Sequence, residues 1–333
     1  MTSSSSVTSA ATSSATSSTS SSVAAALAAT AAATAVSSVT PGSANWPEAG
    51  SASPLVHGKF RFFQARVVAT RRLGPSMVRI TFGGGQLRDF ASGGRDQSFS
   101  LFLPHPGQDA PVVHTDAGDG WFALWRAIDP AQRAIMRSYT VREQRRELGE
   151  VDVDFAVHTA PGPAAAWALR CLAGDRITAL GPSEADNAGI DFRPPRGTDW
   201  MLLAGDESAL PAIAGILEWI SPATPVRAWI EIAHCKDVQG LSTWADAEIT
   251  WLVRGVGPSL TEAVSEARLP AGTPYAWIAG EATEVRQLRR HLVGTGPDAR
   301  GFDRKRVTFT GYWRRGATEE DLLKELLAQS ATA

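Results

Sequence analysis

The chain changes rhythm once, at Arg193-Pro194-Pro195-Arg196-Gly197, and that change restricts the fold more than any single motif. Upstream, short β-branched or alternating runs dominate. Residues 64–71 (QARVVATR) and 77–82 (MVRITF) flank the turn Leu73-Gly74-Pro75-Ser76, and 98–103 (SFSLFL) alternates around Phe99, Leu101 and Leu103 before stopping at Pro104. Further strands fit 138–143 (SYTVRE) and 151–158 (VDVDFAVH). This spacing predicts a small antiparallel β-barrel. One helix interrupts it over about 163–172, with Pro163 in its first turn and Gly174 past its end.

Downstream, 200–204 (WMLLA) is a continuous apolar strand. Strands at 226–232, 249–253, 275–279 and 306–310 alternate with helical patterns at 209–220, 259–268 and 281–293. Buried strands alternating with helices predict a parallel, doubly wound α/β sheet. A last helix over about 318–328 opens with Thr318 as N-cap and acids in its first turn. The expected organisation is a segment 1–57, a barrel domain 58–190, an α/β domain 197–316, and a helix and tail 317–333.

Composition narrows the function. Thirty-four of the first forty residues are Ser, Thr or Ala, so residues 1–57 are expected to be disordered. The formal net charge is −2, without the clustered Lys and Arg that nucleic acid or an anionic membrane requires. No apolar run reaches the ~20 residues of a membrane span, and the basic start of a secretory leader is missing. A soluble, cytoplasmic monomer is expected. The two cysteines form no C-x-x-C, and the six histidines form no i, i+4 pair, so no protein-held metal is expected. No G-x-S-x-G supports hydrolysis by a serine nucleophile.

The chemistry-bearing stretch of the first half is Arg137-Ser138-Tyr139-Thr140-Val141-Arg142. A guanidinium suits phosphate, a Tyr ring suits a flat heterocycle, and a Thr hydroxyl can bond its edge. Alternation puts Ser138 and Thr140 on one face, with Arg137 and Tyr139 on the other. An ordinary solvated strand explains the same letters equally well. In the second half G-x-G-x-x-G is absent, and Gly205-Asp206-Glu207-Ser208-Ala209 stands at the first strand–helix turn. That turn suits a ligand's phosphates, or simply a capped helix start.

The stretches Ser76–Gly84, Arg137–Arg142, Val153–His158 with Gly162-Pro163-Ala164, Leu203–Ile213, Ala276–Ala282 and Gly311–Gly316 occur in one order over residues 60–316. Together they resemble the siderophore-interacting protein family, NAD(P)H-dependent ferric-siderophore reductases of ferredoxin-reductase-like fold. The resemblance implies FAD on the barrel. Tyr139 would stack on its isoalloxazine, Thr140 would sit near N5, and both would be catalytic. Arg137 would meet the phosphates, and Ser138, Val157, His158, Gly162, Pro163 and Ala164 would complete the cradle.

It assigns Gly205, Asp206, Glu207, Ser208, Gly280 and Glu281 to NADPH or NADH. Lys236, after the second strand, is placed to meet a 2′-phosphate or stand as a solvated loop cation. Arg142 and Arg314 would attract an anionic ferric siderophore, although Arg314-Arg315, an Arg pair near the chain's end, is commonly just surface. Two departures stand out: Ala165 and Ala166 occupy positions where the family usually has Ser and Arg, and Ser100 one where it often has Lys. They keep open a flavin- or quinone-type oxidoreductase on this scaffold, and a siderophore-binding protein without turnover.

Overall fold

The computed structural model describes residues 56, 58–157, 161–297 and 299–330. The Ser/Thr/Ala-rich segment, apart from Val56, and His158 lie outside them. Two sheets organise the described chain. The first has seven antiparallel strands in the order β4-β3-β7-β1-β2-β6-β5. These are β1 (Phe60–Gly74), β2 (Met77–Gly83), β3 (Ser98–Leu103), β4 (Ile135–Thr140), β5 (Glu143–Arg145), β6 (Glu150–Ala156) and β7 (Arg176–Pro182). Its edges β4 and β5 are not paired with one another, so it is a curled sheet, a half-barrel.

Strand alternation sorts the side chains of the curl. Phe63, Ala65, Val67, Phe99, Leu101 and Phe155 point into its concave core. Phe60, Phe62, Phe102 and Met136 point outward, where α1 (Trp121–Ala127) covers them with Trp121, Phe122 and Trp125. Four sequence readings need correction. Helix α1 was not foreseen, nor was β7. The strand expected at 138–143 is instead β4 at Ile135–Thr140, followed after a break by β5. The helix after β6 is α2 (Pro163–Ala168), shorter than expected.

The second sheet is parallel, in the order β10-β9-β8-β11-β12. Its strands are β8 (Trp200–Gly205), β9 (Pro225–Ile232), β10 (Asp246–Val253), β11 (Pro274–Glu281) and β12 (Val307–Trp313). All six residues of β8 are buried, as a central strand covered on both faces requires. On one face α3 (Leu210–Trp219) packs against Leu203, Ala228, Ile230 and Trp277. On the other, α4 (Leu260–Glu266) and α5 (Ala282–Val293) pack against Leu202, Ala204 and Ile278. A final helix, α6 (Glu319–Ser330), follows β12.

Candidate active site

Strand β4 carries the R-x-Y-T residues to the rim of the curl. Ile135 and Tyr139 belong to the concave core and Met136 to the outer cluster, so the strand divides its faces as alternation demands. The curl brings Tyr139 across to β6, where its half-buried ring lies against Phe155 with centroids 4.3 Å apart. Phe155 is followed by Trp167 of α2 at 6.3 Å. Arg137 Nη1 donates to the Met136 carbonyl at 2.6 Å and lies 3.7 Å from the Glu320 carboxylate of α6.

Helix α2 starts at Gly162-Pro163-Ala164 with no side-chain cap. Its Pro has no N–H, and the amides of Ala164 and Ala165 precede the first intrahelical bond. Ala165 and Ala166 add no polar side chain. Val157 is buried in the core, and its amide donates to the Ser76 carbonyl at 2.8 Å. An aromatic face, a guanidinium on the same strand face and an uncapped helix start suit a flavin dinucleotide: the ring for the heterocycle, the cation and amides for the pyrophosphate. The residues present therefore fit FAD. Ser100 is fully buried on the outward face of β3, and among the described residues its Oγ has no partner.

In the parallel sheet, β8 is flanked by β9 and β11, and their C-terminal ends mark the topological switch point. Gly205 pairs with Ala279 there, which puts the Gly205-Asp206 and Gly280-Glu281 turns side by side. Their carboxylates are used internally. Asp206 accepts from the Ser208 amide at 2.9 Å, the Glu281 amide at 2.9 Å and Trp313 Nε1 at 2.7 Å. Burial, reinforced by the charge of Glu207, pushes its carboxyl above the ordinary range. Glu207 is held two-pronged by Arg254, whose Nε also reaches Glu231 at 2.7 Å. Glu281 caps α5 through the amides of Thr283 and Glu284.

The acids assigned to the coenzyme thus organise the two turns; the Ser208 hydroxyl also donates to Asp206, and Lys236 is exposed. A recess of about 440 Å³ opens elsewhere, lined by His105, Gln108, Trp167, Arg170 and Arg176, and none of the assigned site residues lines it.

The two sheets meet at the end of β4. The Thr140 hydroxyl hydrogen-bonds Tyr312 of β12, whose phenol burial pushes well above its usual range. Arg142 forms a two-pronged pair with Glu218 of α3, at 2.7 and 3.2 Å. Arg314 forms one with Glu325 of α6, at 2.6 and 2.8 Å. Both cations assigned to the chelate therefore carry a carboxylate partner. Tyr312, Trp313, Glu218 and Arg254 were not singled out in the sequence. Only Tyr312 and Trp313 had a signal, lying in the Gly311–Gly316 stretch.

A curled antiparallel sheet followed by a parallel sheet, with an R-x-Y-T strand at their seam, defines the ferredoxin-reductase-like class. Within that class the chain belongs to the siderophore-interacting protein family. Residues 66–186 match its siderophore-interacting FAD-binding domain, and residues 198–316 match the siderophore-interacting protein model.

Ferric vibriobactin reductase ViuB of Vibrio cholerae is 29% identical over 258 residues, 76% of this chain and 89% of ViuB. The NADPH-dependent ferric-chelate reductase of Escherichia coli is 28% identical over 266 residues, 78% of this chain and 95% of that protein. The crystal structure of a siderophore utilization protein from T. fusca superposes with a TM-score of 0.65 at 32% identity, covering 78% of this chain and 95% of that one. Among the described residues, no helix is long and apolar enough to cross a membrane, and no group of three His, Cys, Asp or Glu could hold a metal ion.

Proposed function

We propose that the protein is a flavin-dependent oxidoreductase that takes electrons from NADPH or NADH and passes them to a ferric siderophore, from which iron leaves as Fe(II). The observation that carries this reading is the seam at the end of β4: Tyr139 pairs with Phe155, the next residue Thr140 bonds Tyr312, and the neighbouring Trp313 donates to Asp206 of the switch-point turn. The names of the V. cholerae and E. coli relatives support the acceptor, and the second favours NADPH. Residues 58–190 are taken as the FAD domain and 197–316 as the coenzyme domain, working as a cytoplasmic monomer.

A bound flavin accepts a hydride and returns its electrons singly, reconciling a two-electron donor with a one-electron ferric acceptor. The chain's share is binding and orientation. Tyr139 offers a ring face, and Arg137 with the α2 amides offers positive charge to the pyrophosphate. Thr140, whose hydroxyl bonds Tyr312, is the residue that the family resemblance sets near the heterocycle's edge. The Gly205 and Gly280 turns and Lys236 face the coenzyme. Arg314 faces the anionic chelate, with Glu325 as its resting counter-ion. Oxygen-rich siderophores hold Fe(III) much better than Fe(II), so reduction itself frees the metal.

Turnover with FAD, either nicotinamide and a ferric tris-catecholate, followed by a colorimetric Fe(II) trap, tests this. Fe(II) formation that needs all three components is expected. One observation favours a second reading: Arg142 and Arg314 are already paired with carboxylates, which suits a less anionic acceptor such as a quinone. Rapid nicotinamide oxidation with a quinone and none with ferric chelates would establish that alternative.

A further inference from the structure

Where β4 ends, two alternate residues, Thr140 and Arg142, are gripped from the second half of the chain, by β12 and by α3. Val141 points into the concave core, which directs Thr140 and Arg142 to the opposite side. Thr140 meets Tyr312 there. Arg142 Nη2 donates to Glu218 Oε1 at 2.7 Å and Nη1 to Oε2 at 3.2 Å. The Arg142 side chain is only 15% exposed, and its backbone amide is fixed by the Asp152 carbonyl.

Glu218 does not act alone. Gly215, Glu218 and Trp219 share one face of α3 by their i, i+3, i+4 spacing. All three touch the first sheet's side of the seam. A Cβ on Gly215 would strike the Arg95 carbonyl, and the Arg95 guanidinium lies 5.2 Å from the Trp219 ring centroid. One helix face is therefore fitted to the loop before β3 and to the residue that ends the R-x-Y-T-V-R run.

We propose that Arg142 and Glu218 form a clamp that fixes the angle between the flavin motif and the coenzyme-side sheet. Both are positioning residues for the transfer from coenzyme to flavin, and Arg142 is not a chelate contact. This rests on the reading of the site as a flavin reductase. A two-pronged Arg–carboxylate pair sets direction as well as distance, which a Lys point charge does not. Direction matters because transfer needs the reacting atoms about 3–3.5 Å apart, and a 1 Å error costs about a hundredfold in rate. The carboxylate that satisfies both Nη atoms also withdraws the cation from the anion it was expected to meet.

Charge exchange separates clamp from contact. The variants are Arg142→Glu, Glu218→Arg and the double exchange, with Glu218→Gln as a gentle variant should a reversal fail to fold. Three quantities are read: anaerobic flavin reduction by NADPH, KM for a ferric chelate, and hydrogen exchange over 138–145 in the FAD-free protein. Each single change is expected to slow flavin reduction about tenfold and speed exchange, with KM for the chelate moving less than about twofold. The double exchange is expected to return the first and third to within about threefold of the parent.

A double exchange no better than its singles overturns the clamp. So does an Arg142→Glu variant whose chelate KM rises with flavin reduction intact. If the parent protein is not reduced by either nicotinamide, the reductase reading fails instead, and exchange in the FAD-free variants still decides the clamp.

Discussion

Trp277 Nε1, in β11 of the parallel sheet, donates to Asp96 Oδ2 at 2.9 Å, and both side chains are buried. Asp96 precedes β3 and also accepts from the amides of Asp191 and Phe192, in the segment that leads to the second sheet. One carboxylate therefore ties both halves to the connection between them. Burial raises its pKa despite these donors.

Trp277→Phe removes the indole donor and leaves Asp96 with backbone partners only. A hydrogen bond to a charged group contributes about 1.5–3 kcal/mol, and the smaller ring adds a cavity. The urea unfolding midpoint is expected to fall accordingly, while Trp277→Phe made together with Asp96→Asn costs less than the sum of the two. An unchanged midpoint contradicts the tie.

Glu284 carries a pH-dependent cost. Burial first, then the charges of Glu231 and Asp206, hold its carboxyl up at about 7. The folded protein thus binds this proton more tightly than the unfolded chain, so its contribution to stability is full below about pH 4.5 and drains as pH rises to about 7. Glu284→Gln, which keeps an acceptor for the Thr261 amide, is expected to raise Tm at pH 8 and leave it unchanged at pH 5. Equal shifts at both pH values would refute the assignment.

Gly280 has φ +140°, and a Cβ there would lie 2.7 Å from Asp206 Oδ2. Backbone strain of this kind costs about 1–3 kcal/mol. Gly280→Ala is expected to lower Tm and, by displacing Asp206 and both turns it holds, to raise KM for the nicotinamide more than tenfold by roughly the same energy. A variant with parental KM would remove the switch-point turns from the coenzyme site.

Tyr139→Ala removes one wall of the flavin platform, and Tyr139→Phe retains it. Aromatic stacking contributes about 0.5–1.5 kcal/mol beyond area burial, so the Ala variant is expected to weaken FAD binding about tenfold or more. Quenching of flavin fluorescence measures it. A Phe variant as weak as the Ala variant would shift the role from the ring to the hydroxyl.

What the sequence conveyed follows from what pattern encodes. A continuous apolar run identified β8 because both of its faces are buried, and alternation alone divided Arg137 and Tyr139 from Ser138 and Thr140. Strand β7 was overlooked because RITALGP looks like a loop until β1 and β3 pair with it on both sides. Helix α1 was overlooked because Trp121, Phe122 and Trp125 sit within one short Gly- and Asp-flanked stretch.

The carboxylates were misleading for a different reason. Acids at a strand–helix turn look ligand-facing in sequence, yet Asp206 and Glu207 are 2% and 1% exposed and bind their own scaffold. Likewise the partner of Arg142 lies 76 residues away on another element, so no local pattern reveals that the cation is taken.

The most direct test of the central claim is the visible spectrum of FAD-incubated protein under argon, recorded before and after NADPH and again after a ferric siderophore. Flavin bands that bleach with NADPH and return with the chelate are the expected result. A protein that retains no flavin after incubation, or whose bleached bands stay bleached when the chelate is added, contradicts it.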